Sequence, residues 1–233
     1  MMLRRYNRFF QQLRRAVTFF FWVSIGSCLL LRVLPPPTSM FMFYRHAEDL
    51  FNTPRVKSID YQWVSSENIS SYAKLAVIAG EDQLFFSHYG FDVTSILASI
   101  KHFQRGGQLR GASTISQQTA KNLFLTPSKS FIRKGLEVWF TVLLELFWDK
   151  ARILEVYLNI AEFGDHLFGI EAASQHYYGI SAKQLTPAQS AMLAATLPNP
   201  IHFKATQPSN YLIRRQQWIL RQMRQLGTRQ LDD

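Results

Sequence analysis

The chain is poor in charge and nearly devoid of cysteine. Only 18% of its 233 residues are charged, and 16 acids stand against 26 lysines and arginines. The lone cysteine, Cys28, excludes internal disulfides. There is no P-loop, no glycine-rich dinucleotide fingerprint and no zinc-ligand spacing, so nucleotide, nicotinamide and structural-zinc chemistry lack their usual signatures. No Asp-x-Asp pair sits where a metal could hold a nucleotide sugar. Ser71-Tyr72-Ala73-Lys74 satisfies a Ser-x-x-Lys pattern, but no Lys-Thr-Gly follows it. Alternating strand patterns of useful length and internal repeats are missing too. What remains is a mainly α protein, 47% hydrophobic, with a formal net charge of +10. Such a balance points to anionic partners: phosphates, nucleic acid or a lipid surface.

Residues 1–15 form a basic tail, with Arg4, Arg5, Arg8, Arg14 and Arg15 ahead of any acid. Residues 16–31 are apolar apart from Thr18, Ser24 and Ser27, and Val33-Leu34 extend the run past Arg32. The stretch 16–34 reaches the ~20 residues of a membrane span if Arg32 snorkels to the interface. No small-x-small cleavage site follows, and Pro35-Pro36-Pro37 ends the helix, so an uncleaved signal anchor is expected rather than a removed signal peptide. The arginine-rich flank predicts a cytoplasmic tail and an exported remainder, which makes nucleic acid an implausible partner. Residues 35–62 read as a juxtamembrane linker. Its apolar cluster Met40-Phe41-Met42-Phe43-Tyr44 suits either core packing or the bilayer surface.

Four clusters carry the chemistry. The first is Glu81-Asp82-Gln83-Leu84-Phe85-Phe86-Ser87-His88-Tyr89-Gly90, after an Ala-rich apolar helix that Ser70 or Ser71 would cap and Gly80 would end. Two adjacent carboxylates thus sit where the helix dipole disfavours negative charge, an environment that favours proton uptake and suits a general base. Taken alone, the pair could equally be a solvated helix end. The second cluster, residues 111–122, is unusually polar. On a helix Ser113, Gln117 and Lys121 share one face, and Thr114, Gln118 and Asn122 the next. Uncharged donors with one lysine suit a sugar and a phosphate, although a solvated surface helix would look the same. The third, residues 131–148, is apolar nearly all round and so is expected to be buried. Its exceptions Arg133, Glu137, Thr141 and Glu145 recur every four residues, with Lys134 three before Glu137. Such a stripe fits a cleft wall better than a face turned to water. The fourth, residues 150–163, is an amphipathic helix whose core face is Ile153, Val156, Tyr157 and Ile160. Further helices are expected after Asp92, after Thr186-Pro187 and after Ser209.

In this order the clusters match E-D-x-x-F-x-x-H-x-G, G-x-S-T-I-x-Q-Q-x-x-K-N, R-K-x-x-E and K-x-x-I-L-x-x-Y-L-N, at residues 81–90, 111–122, 133–137 and 150–159. From about Trp63 to about Phe203 the chain resembles glycosyltransferase family 51, the peptidoglycan glycosyltransferases. No transpeptidase motifs follow, which makes a monofunctional member the expectation. The resemblance implies a lysozyme-like helical domain over residues 63–233, lying on the outer face of the cytoplasmic membrane. It implies lipid II and the growing lipid-linked glycan chain as substrate and product, with cell-wall synthesis proteins as partners. In the implied inverting reaction the acceptor GlcNAc 4-hydroxyl attacks C1 of the donor MurNAc, and the lipid diphosphate leaves. By the same resemblance Glu81 is the base. Glu137 helps hold the leaving group with Lys121, Arg133, Lys134 and Arg110, and a divalent ion, Mg2+ or Mn2+, is a candidate helper. Asp82, Ser113, Thr114, Gln117, Gln118 and Asn122 become sugar or base-orienting contacts, whereas Phe85 and His88 read as structural. A membrane-anchored lytic transglycosylase and a non-catalytic peptidoglycan-binding module are the alternatives. Neither needs the cationic motifs.

Overall fold

The computed structural model describes residues 2–52, 56–107, 113–128 and 130–227, with side chains from Arg8 onward. Two compact units divide the chain, Met1–Pro35 and Pro36–Asp233.

The first unit is one helix, α1 (Met2–Leu31), so the basic tail continues the apolar helix rather than preceding it. Its segment Arg8–Leu31 is 24 residues long and contains an 18-residue window of mean hydropathy 1.4. At about 1.5 Å per residue that is long enough to cross a ~30 Å hydrocarbon core. Phe19 and Trp22 are among its most exposed side chains, at 70% and 71%. Residues 32–34 leave the helix as a turn, closed by the Leu34 N–H on the Leu30 carbonyl at 3.1 Å. One apolar helix compatible with a membrane anchor is therefore present.

The second unit is mainly α. It contains α2 (Met40–Asn52), α3 (Ser71–Glu81), α4 (Val93–Gln104), α5 (Ile115–Phe124), α6 (Phe131–Phe147), α7 (Lys150–Ile160), α8 (Ile170–Tyr178), α9 (Pro187–Thr196) and α10 (Asn210–Leu226). A small sheet of β1 (Asp60–Tyr61), β2 (Glu162–Gly164) and β3 (Leu167–Phe168) runs in the order β1-β3-β2, parallel across β1-β3 and antiparallel across β3-β2. Strands of two or three residues are too short to show a period, which is why no sheet was expected. The helix expected over 150–163 accordingly stops at Ile160 and turns into β2. Residues 35–62, expected as a linker, contribute α2 and β1. On α2, Met42 is buried and Phe41 meets the Phe168 ring edge-on, while Phe43 stays 63% exposed.

The centre is α3, where Ala73, Leu75, Ala76, Val77, Ile78 and Ala79 are all buried. Its small side chains let α9 and α10 approach closely. Gly80 does not end this helix as expected. The helix runs through Glu81 and is closed by the Asp82 N–H on the Ile78 carbonyl, at 3.0 Å. Gly80 is instead a packing glycine: a Cβ there would lie 3.3 Å from Ile219 Cδ1 of α10.

Helix α6 reverses an expectation more thoroughly. Its apolar residues Phe131, Ile132, Val138, Val142 and Leu146 are exposed, Phe131 by 98%. The polar stripe points inward, with Glu137 at 3% and Thr141 at 0% exposure. The polar stripe and Phe140, Leu143 and Leu144 are buried together, and the remaining apolar face is the exposed one.

Candidate active site

Glu81 ends α3 and faces a cavity of about 460 Å³ lined by Gly80, Asp82, Leu84, Ser113, Thr114 and Trp218 among others. Its two oxygens are held from opposite sides. Gln118 Nε2 of α5 donates to Oε2 at 3.0 Å, and an Arg215 guanidinium N–H of α10 donates to Oε1 at 3.3 Å. Behind Gln118, the Tyr157 hydroxyl of α7 donates to its Oε1 at 3.0 Å. Burial, reinforced by the charges of Glu81 and Asp82, holds the Tyr157 phenol well above its ordinary pKa.

Asp82 does something different from its neighbour. It is 7% exposed, contacts His88 Nε2 at 2.9 and 3.1 Å, and accepts the Ile115 N–H at 3.0 Å. Desolvation raises its pKa above the ordinary value, against the lowering effect of His88 and the Ile115 amide. The expectation that the acid pair takes up protons readily thus materialises at Asp82. Its carboxylate ties the end of α3 to the first turn of α5, a task that leaves both oxygens occupied.

The second motif is likewise split between structure and chemistry. Thr114 and Gln117 form a capping box that starts α5: the Gln117 N–H donates to Thr114 Oγ1 at 3.2 Å, and the Thr114 N–H donates to Gln117 Oε1 at 3.1 Å. Such a cap is worth about 1 kcal/mol. The Thr114 hydroxyl also donates to the Gly90 carbonyl at 2.6 Å. Gly90 itself has φ +80°, and a Cβ there would lie 2.7 Å from Thr141 Cγ2, so the last residue of the first motif is glycine for steric reasons. Asp82, Thr114 and Gln117, expected as substrate contacts, are therefore the clamps that fix α5 against α3. Ser113 is exposed at the cavity. Asn122 is 7% exposed with no hydrogen-bond partner for its Oδ1 among the described residues, and Gln118 orients Glu81. Phe85, fully buried, and His88, paired with Asp82, are structural as expected.

On α6, Glu137 gathers cations. Arg133 Nη1 lies 2.5 Å from its Oε2, and Lys134 Nζ pairs with its Oε1. Lys121 of α5 lies among these charges, drawn by Glu137 and Glu81 and opposed by Arg133 and Lys134. Burial is the largest influence on Lys121 and pulls its pKa below the ordinary lysine value. A half-desolvated ammonium flanked by two more cations is short of negative charge, and an anion would supply it. Further along the stripe, Glu145 pairs with Lys150 Nζ at 2.7 Å and with the Ser116 hydroxyl, holding α5, α6 and α7 together. Arg110, the remaining cation expected here, lies outside the described residues.

A divalent ion finds no ready cage. Among the described residues no group of three His, Cys, Asp or Glu side chains could hold one, and both Glu137 oxygens already face cations. The set fits an anionic ligand better than a metal.

Arg215 was missed in the sequence. Its only signal is the Arg214-Arg215 pair on an amphipathic helix, which is indistinguishable from a solvated face until α10 is packed on α3.

Comparison with known proteins agrees with this geometry. The family model described as transglycosylase matches residues 48–224. The chain is 51% identical over 225 residues to the biosynthetic peptidoglycan transglycosylase of Shewanella oneidensis, covering 97% of this chain and 95% of that one. It is 50% identical to the protein of the same name from Pasteurella multocida, covering 97% and 92%, and 52% identical to that from Chromohalobacter salexigens, covering 92% and 94%. A buried acid facing a cationic cluster on a lysozyme-like helical fold thus defines a glycosyl-transferring enzyme. The chain belongs to the transglycosylase family.

Proposed function

We propose that the protein polymerises lipid II into glycan strands, with Glu81 as general base and the Glu137 cluster as the cradle of the leaving diphosphate. It is a peptidoglycan glycosyltransferase of bacterial cell wall synthesis. The observation that carries the division of labour is Lys121, whose charge is felt by both glutamates. Glu81 takes the proton of the acceptor GlcNAc 4-hydroxyl as that oxygen bonds to C1 of the donor MurNAc. The bond from C1 to the diphosphate oxygen breaks on the opposite face, so configuration inverts. Its electron pair leaves with the diphosphate, where Lys121, Arg133 and Lys134 meet the growing charge without reorganising. Glu137 keeps Arg133 and Lys134 aimed.

The reading extends to location. The apolar α1 anchors the chain in the cytoplasmic membrane with the arginine-rich tail inside and the catalytic unit outside. The exposed apolar residues Val93, Leu97, Ile100 and Phe103 of α4, with Phe131 and Ile132 of α6, give the unit a surface suited to the bilayer in which the substrate is held. Incubating the purified full chain with lipid II tests the function. Long glycan strands are expected, and cleavage of preformed peptidoglycan without polymer formation would instead identify a lytic enzyme.

A further inference from the structure

The carboxylate of Glu81 is gripped at both oxygens by residues from two helices, Gln118 of α5 and Arg215 of α10, and the inference drawn from this grip rests on the reading of Glu81 as base. The geometry points to Arg215 and Tyr157 as positioning residues for that base: Tyr157 sets the Gln118 amide that holds one oxygen, and Arg215 holds the other.

Tyr157 is 1% exposed, and its phenol stays protonated at any working pH, so its hydroxyl has a proton to give Gln118 Oε1. The Glu81 carboxylate only accepts, so Gln118 Nε2 faces Glu81, and the Tyr157 O–H on the amide oxygen holds the side chain in that orientation. One Glu81 oxygen is therefore addressed by a donor whose orientation is decided one residue further back. Arg215 reaches the other oxygen because α10 lies close against α3 at Gly80, where no side chain intervenes. The same guanidinium N–H also lies 3.3 Å from the Gly80 carbonyl, an unsatisfied end group of α3, so the cation offsets the negative end of that helix beside the carboxylate. The guanidinium rests 5.9 Å from the Trp218 ring centroid, one turn along α10, which limits its swing.

Among the described residues, the charged or titratable groups facing Glu81 come from three helices and its own chain neighbour. Arg215 comes from α10, Lys121 from α5, Tyr157 from α7, and Asp82 is its chain neighbour. Asp82 is already engaged by His88 and Ile115, and Lys121 belongs to the diphosphate side. Arg215 is thus the cation that directs Glu81 at the acceptor while Lys121 serves the leaving group.

Steady-state polymerisation of lipid II by the full-length protein tests this with Arg215→Gln, Arg215→Lys, Tyr157→Phe and Glu81→Gln, alone and combined. Arg215→Gln should lower kcat/KM on the order of 10- to 100-fold, the fold-change of one charged hydrogen bond. Arg215→Lys should restore most of the rate. Tyr157→Phe should lower kcat about tenfold with KM little changed. In a Glu81→Gln background, Arg215→Gln and Tyr157→Phe should each change the residual rate by less than about twofold, since a positioning residue has nothing left to position. Arg221→Gln, an exposed position on the same helix, controls for net charge. Full loss from Arg215→Gln repeated in the Glu81→Gln background would overturn the proposal and place Arg215 on the substrate. An unchanged rate in Arg215→Gln would overturn it too. Near-normal turnover by Glu81→Gln would remove the base itself, a distinct outcome that also ends the proposal. If Arg215→Gln fails to fold, Arg215→Lys and Tyr157→Phe carry the same comparison.

Discussion

Glu81 and Glu137 are both largely shielded, with 14% and 4% of their side chains exposed, yet they are surrounded in opposite ways. Glu137 lies in the middle of a helix and takes two cations from its own preceding turn. Glu81 lies at a helix end and is held by a neutral amide and one arginine, each from a different helix, beside an open cavity. A carboxylate already paired with two cations serves best by keeping those cations in place. A carboxylate with moderate support and access to a ligand can react. Two residues of one type therefore become base and anchor through the company each keeps.

The largest break in that comparison comes from Glu81→Gln. It keeps shape and hydrogen bonding but removes the proton acceptor, so turnover on lipid II should fall by about 10² or more. The melting temperature should hardly move. Near-normal polymer yield would reassign the base.

Lys121→Ala should cost nearly as much, because it removes a cation on which both glutamates act, a loss on the order of 10² in kcat. A finer test uses pH. Burial lowers the Lys121 pKa, so in the free enzyme this amine loses its proton at a lower pH than an ordinary lysine. The alkaline limb of kcat/KM should accordingly set in early, and Lys121→Arg, charged at any working pH, should move it upward. Identical alkaline limbs in the two proteins would show that Lys121 does not control it.

Glu137→Gln should be milder, about tenfold in kcat, since the cations remain but lose their aim. With both oxygens already facing Arg133 and Lys134, a magnesium or manganese titration should not rescue this variant. Recovery of turnover with added metal would show that Glu137 serves an ion instead.

The smallest effect belongs to the scaffold behind both residues. Gly90→Ala must place a Cβ at φ +80° against Thr141 and Glu145, which costs about 1–3 kcal/mol. The unfolding midpoint should drop by roughly 3–10 °C. An unchanged midpoint would mean that the first motif and α6 are not held as closely as the geometry shows.

Much of this was legible along the chain, because it depends on near neighbours. Caps at Ser70, Asp92, Thr186 and Ser209 are local rules and appear where expected. The core face Ile153, Val156, Tyr157 and Ile160 follows from helical period alone, as does the pairing of Glu137 with residues three and four before it. Other features required distant segments to meet. The short sheet joins residues more than a hundred apart in strands too brief to leave a pattern. The direction of α6 was misjudged because hydrophobicity identifies an apolar stripe but not whether protein or another apolar phase lies beyond it. Polar residues of the second motif could not be sorted into helix caps and site groups, since a hydroxyl or amide can serve either end and only the approach of Gly90, Ile115 and Glu81 chooses between them. Arg215 and Tyr157 reach the base from helices 134 and 76 positions away in number, and no periodicity within either helix records that meeting. Local order follows from bonded neighbours, whereas the environment of a reacting carboxylate is set by whichever helices the hydrophobic core brings beside it.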